Sequence, residues 1–213
     1  MPDSTTADRI AEALSRIALV QRAQAWEEAG SRGLTVTQGR VLAFVADAPH
    51  APRLGEVGRS LGIKAPTASK AVTTLVDKGL LEKRPAADDG RAIALHLSAK
   101  GRREAARAAR WPERLAPVIE VLADDEKAVM LRGLVKMIRE LQRQGRVPTA
   151  RTCVDCRHFE PFAHPDSTEP HHCGFVDAPF GDGDLQVACA DHVEASERQA
   201  GAAFRRLLRV VPA

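Results

Sequence analysis

The stretch from Leu54 to Leu97 leaves this chain few ways to fold. The run LGEVGRSLG (54–62) predicts a short helix that ends in a glycine turn. Pro66 suits the first turn of the next helix, where its missing N–H would have no partner anyway. In that second helix Val72, Leu75 and Val76 share the inner face, and Thr67, Ser69, Lys70, Thr73 and Thr74 share the outer one. Gly79 predicts the stop. GLLEKRP (79–85) and AIALHL (92–97) then read as two short strands joined by AADDGR (86–91), a turn with a basic tip. Helix, tight turn, helix and hairpin in this order make a winged helix-turn-helix, provided the second helix is slim enough to enter a major groove. Two packed surface helices with solvated polar faces are the alternative, and such pairs are common.

The charge pattern favours the first reading. The formal net charge of +3 is a cancellation. Residues 1–150 hold 25 basic and 18 acidic side chains, whereas residues 151–192 hold 2 and 8. Between Arg53 and Arg110 there are 13 basic and 6 acidic residues, so positive charge concentrates where a DNA backbone would lie. Thr67, Ser69, Lys70, Thr73 and Thr74 are the candidates for base edges and phosphates, with Lys83 and Arg84 on the first strand beside them. Arg91 at the hairpin tip suits a narrow minor groove, where the negative potential is strongest.

Helices flank this region. Ile10, Leu14, Ile17 and Val20 predict an amphipathic helix over 7–28, ended by Gly30 and Gly33. Thr35 followed by Gln38 is a capping-box pattern, and Val41, Leu42 and Val45 form the stripe of the helix it opens. Lys100 to Arg110 begins a basic helix. Asp124 and Asp125 favour the start of the last one, whose stripe is Met130, Leu134, Ile138 and Leu141 and whose end is Gly145 with Pro148.

The stretches LTVTQGRVL (34–42), LGEVGRSLGIKAPTASKAVTTLVDKGLLEKRP (54–85) and DDGRAIALHLSAKG (88–101) resemble the MarR family of winged-helix transcriptional regulators. The resemblance follows the family's order of elements over about 140 residues, which makes it far more specific than a lone helix-turn-helix match. It implies a homodimer with interlocked N- and C-terminal helices, a recognition helix near 66–78 and a wing near 84–92. It also implies that Asp89 holds Arg91 toward DNA, and that Ser69 and Lys70 stand where the family has a hydroxyl residue and an arginine facing the groove. Pro112 and Pro117 depart from the family's uninterrupted fifth helix and predict a kink or break near Trp111.

All four cysteines lie further on, spaced Cys153-x2-Cys156-x16-Cys173-x15-Cys189. Two cysteines two residues apart can direct both sulfurs at one centre, and two distant ones complete a tetrahedron. Disulfides are disfavoured in a reducing cytoplasm, and a redox Cys-x-x-Cys would need a thioredoxin-like βαβ context that the sequence lacks. Metal or cluster binding is therefore expected. Zinc is favoured as the commoner structural ion for a segment too small to fold alone. An iron–sulfur cluster is the alternative, because the second pair is split as in high-potential iron–sulfur proteins and Phe159, Phe162, Phe175 and Phe180 lie nearby as a shelter. His158, His164, His171, His172 and His192 read as surface residues or as partners of ligands.

The expected fold class is thus mainly α: a winged helix-turn-helix with a helical dimerisation region over 1–148, a small irregular metal-binding module over 149–192, and a tail over 193–213 with a short basic amphipathic helix. The expected function is a homodimeric, sequence-specific regulator of transcription, a repressor, reading a pseudo-palindromic operator in double-stranded DNA and responsive to metal or redox state. A non-specific architectural DNA binder and an iron–sulfur electron carrier are the alternatives. An enzyme is not expected, since no H-E-x-x-H or similar motif accompanies the cysteines. No apolar run approaches the ~20 residues that span a bilayer, and residues 1–8 are polar, so a cytoplasmic protein is expected. Any small-molecule effector is left unspecified.

Overall fold

The structure, a computed structural model, describes residues 4–48, 50–86, 91–109, 115–147 and 151–208. The chain divides into two compact units, Met1–Val118 and Ile119–Ala213.

The first unit begins with α1 (Thr6–Ser31), capped by Thr5 and Asp8 in a reciprocal box. Gly30 lies inside its last turn, and Gly33, at φ 62°, is where the chain leaves the helix. The expected box at α2 (Val36–Asp47) is present: the Gln38 N–H donates to Thr35 Oγ1 at 3.2 Å, and Gln38 Oε1 accepts from the Thr35 N–H at 3.1 Å. Next come α3 (Leu54–Leu61), α4 (Ala65–Asp77), the antiparallel strands β1 (Leu81–Pro85) and β2 (Ile93–Leu97), and α5 (Ala99–Ala109). Gly62, at φ 63°, supplies the left-handed turn between α3 and α4. Val41, Leu42, Val57, Val72, Leu75, Leu81 and Leu95 form the buried core on which these elements meet.

The tightest approach in this unit is at Gly101 of α5, where a Cβ would lie 1.9 Å from the Leu80 carbonyl oxygen. No side-chain rotation relieves a clash with backbone. Gly101→Ala should therefore cost about 2 kcal/mol, in the usual range for overpacking, read as a lowered midpoint in chemical denaturation.

The second unit contains α7 (Asp124–Arg143), preceded by the short α6 (Ala116–Ile119), which straddles the division. Glu126 accepts from the Ala123 N–H at 2.9 Å, and three acidic residues occupy the first turn of α7, where the helix dipole favours them. Gly145, at φ 67°, closes it as expected, the Arg146 N–H reaching back to the Leu141 carbonyl at 2.9 Å. A tight 3-10 turn over Cys153–Asp155, the three-stranded antiparallel sheet β3 (Phe159–Glu160), β4 (His171–Cys173) and β5 (Ala178–Phe180), with β4 central, and α8 (Glu197–Leu208) complete the unit. Val135, Val154, Phe159, Leu185 and Leu207 form its core.

One difference from the sequence reading has a clear physical cause. The deepest side chains of α7 are Val135 and Arg139 instead of the Met130, Leu134, Ile138 and Leu141 stripe. The helix has a second apolar edge, and the cysteine segment of the same chain covers it. Met130 stays 38% exposed on the other edge. The expected break near Trp111 lies outside the described residues. Among the described residues no helix is long and apolar enough to cross a membrane.

Candidate nucleic-acid interface and cysteine cleft

Helix α4 presents the face its sequence promised. Ala68, Ala71, Val72 and Leu75 are buried against the core, while Thr67, Ser69, Lys70 and Thr73 are exposed. Thr74 is only half exposed, and its hydroxyl donates to the Lys70 carbonyl at 3.0 Å, so it is the least available of the five. Gly58 brings α3 close beneath this helix: a Cβ there would stand 3.3 Å from the Ile63 carbonyl oxygen and 3.9 Å from Ala68 Cβ. At the far end, the Lys78 ammonium donates to the Gly33 carbonyl, which ties the helix to the turn between α1 and α2.

The hairpin projects as a wing. In β1 only Leu81 is buried, and Glu82 to Pro85 are exposed, because the strands run out past the core. Lys83 pairs in register with Leu95 and Arg84 with Ala94. Arg84 is held by Glu82 at 2.5 Å on the surface, an ion pair weak enough to exchange for a phosphate. Arg91 is exposed at the start of the return toward β2. Asp88 and Asp89, and with them the expected support of Arg91 by Asp89, lie outside the described residues. Between the wing and the start of α3 is a cleft of about 950 Å³, lined by Arg53, Arg59 and Arg84 together with His50 and His96. Neither histidine carried any sequence signal. A slim polar helix, a basic wing and a cationic cleft together suit a polyanion.

Residues 32–92 match the MarR family model. That family is one of DNA-binding transcription regulators, not of enzymes. No curated protein matches the sequence. Among solved structures, the chain is similar to FabT of Streptococcus pneumoniae in complex with DNA, at 24% identity and a TM-score of 0.57 over 65% of this chain and 99% of that one. It is similar to MepR of S. aureus in complex with DNA at 20% identity and a TM-score of 0.52, over 62% and 97% of the two chains. CouR of Rhodococcus jostii RHA1, bound to p-coumaroyl-CoA, gives 20% identity and a TM-score of 0.53 over 69% and 98%. These likenesses show a shared fold, and nearly the whole of each neighbour is matched while part of this chain is left over.

The cysteines are brought together by backbone pairing. Cys153 opens the 3-10 turn, and the Cys156 N–H donates to its carbonyl at 2.9 Å. The Cys153 N–H donates to the Gln186 carbonyl at 3.0 Å, and the Gln186 N–H donates back to Cys153 Sγ at 3.2 Å. The Cys189 N–H donates to the Arg151 carbonyl at 2.9 Å, and Cys173 pairs with Phe159 on one side and Ala178 on the other. All four thiols are free and half-buried, and all four line one cleft of about 430 Å³. Burial pushes the Cys153 thiol up to about 11 against the pull of the Gln186 N–H. Among the described residues no group of three or more His, Cys, Asp or Glu side chains is placed to hold a metal ion.

The histidines divide. His158 lines the cleft, its ring edge-on to Phe175 at 5.7 Å. His171 is fully buried among Phe159, Phe162 and Phe180. The Phe162 N–H donates to its Nδ1 at 3.3 Å, so Nε2 carries the proton and donates to Asp182 at 3.0 Å. Arg132 of α7 holds the same carboxylate at 2.6 Å. His164 and His172 face each other at 3.3 Å, with Asp177 3.2 Å from His172. Sequence reasoning missed Arg139, whose guanidinium meets Asp155, a residue inside the Cys-x-x-Cys knuckle, at 2.8 Å. Asp155 also accepts from the Thr152 hydroxyl at 2.8 Å. The knuckle is thereby fastened to α7.

Proposed function

We propose that the protein is a sequence-specific transcriptional regulator, a repressor, that binds double-stranded DNA as a homodimer in the cytoplasm. The observation that carries this reading is the exposed face of α4, small, hydroxylated and basic, set beside a basic wing. Thr67, Ser69, Lys70 and Thr73 enter the major groove, with Thr74 at its margin. Lys83 and Arg84 hold phosphates, and Arg91, steadied by Asp89, reaches the minor groove.

Dimerisation is supported by α1. This 26-residue helix leaves Ile10, Ile17, Leu19, Val20 and Trp26 exposed. A second copy is the partner that would cover so much apolar surface. Two recognition helices related by a two-fold axis then read half-sites about one helical turn apart. The cysteine segment binds a metal or cluster and reports its state to α7 through the Arg139–Asp155 pair. Selection from a randomised duplex pool tests the reading: an enriched inverted repeat is the expected result, and a pool without an enriched sequence would refute it.

A further inference from the structure

The thiols of Cys153, Cys156, Cys173 and Cys189 all line one cleft of about 430 Å³.

The frame around the cleft resists collapse. Cys153 is pinned to Gln186 in both directions, Cys189 to Arg151, and Cys173 lies in the central strand of a three-stranded sheet. The rest of the wall is largely apolar, with Phe159, Phe175, Phe180, Val176 and Pro179.

We infer that this cleft is the seat of a cubane four-iron, four-sulfide cluster, with one cysteine thiolate on each iron. Frequency alone favours zinc; the apolar aromatic lining and the N–H on a ligand sulfur favour the cluster. The Gln186 N–H points at Cys153 Sγ, the kind of donor that stabilises negative charge on a ligand sulfur. The phenylalanine wall keeps water and oxygen from the core. Loading takes two ferrous and two ferric ions with four sulfides. Four S–Fe bonds form and the four thiols release their protons, so the filled site carries two negative charges overall. The inference stands whether or not α4 reads DNA.

The test uses the full chain, purified without oxygen and stripped of metal. One portion receives ferrous and ferric iron with sulfide, another receives zinc alone. The expected result is a brown protein with about four irons and four sulfides per chain that keeps its colour when zinc is added. Cys189→Ser should lose most of the iron, with far-UV circular dichroism confirming that its helices persist. Phe175→Ala, at a residue 52% exposed, should load fully without oxygen and bleach several-fold faster in air. A colourless protein that takes one zinc per chain and retains no sulfide would overturn the inference, as would full iron retention in Cys189→Ser. An unchanged bleaching rate in Phe175→Ala would overturn the sheltering wall.

Discussion

Arg139→Ala should destabilise the second unit by about 3 kcal/mol, the cost of removing one member of a buried ion pair. The Arg139 side chain is 10% exposed and Asp155 6%, so water cannot replace the lost guanidinium. Chemical denaturation should show a lowered midpoint for the unit that contains Phe159 and Leu207. The double variant Arg139→Met with Asp155→Asn should recover most of the loss, since it removes both charges and keeps the packing volume. A surface pair provides the contrast. Arg16 and Glu12 are 79% and 66% exposed, and Arg16→Ala should leave the midpoint unchanged. Equal effects from Arg139→Ala and Arg16→Ala would show that the knuckle is not fastened to α7 through this pair.

The second large effect is expected on DNA. Lys70→Ala combined with Arg91→Ala should weaken operator binding about 100-fold in fluorescence anisotropy at fixed salt. Both side chains are exposed, so the variant should unfold at the wild-type midpoint. Their contributions separate by salt. Removing a phosphate contact at Lys70 should flatten the salt dependence by about one unit of slope for each copy in the complex. Loss of a minor-groove contact at Arg91 should show chiefly as altered preference for A·T-rich flanks. Unchanged affinity in the double variant would take α4 and the wing out of the recognition surface.

The first unit was largely legible because its signals are local. The Thr35–Gln38 box, the turn glycines at 62 and 79 and the alternation of β2 each act within a few residues, and each recurs in the structure. The outward set on α4 follows from helical period alone, with Thr74 set apart by a hydroxyl that bonds back one turn. The second unit was legible in its cysteines and opaque in its packing. Arg139 and Asp155 are far apart in sequence, and a charged residue amid an amphipathic helix reads as solvated until its partner is seen. His171 reads as a surface residue by type, yet it is the fully buried centre of an aromatic cluster because Asp182 and the Phe162 N–H satisfy both ring nitrogens. The edge of α7 that meets the cysteine segment was hidden for a similar reason: two apolar edges share one helix, and periodicity does not say which neighbour takes which.

The central claim is specific DNA reading by α4 and the wing, and the most direct measurement compares affinities for the selected inverted repeat and for a scrambled duplex of the same composition at one salt concentration. The repeat should bind at least about 1,000-fold more tightly. Equal affinity for the two duplexes would contradict it and leave a non-specific binder.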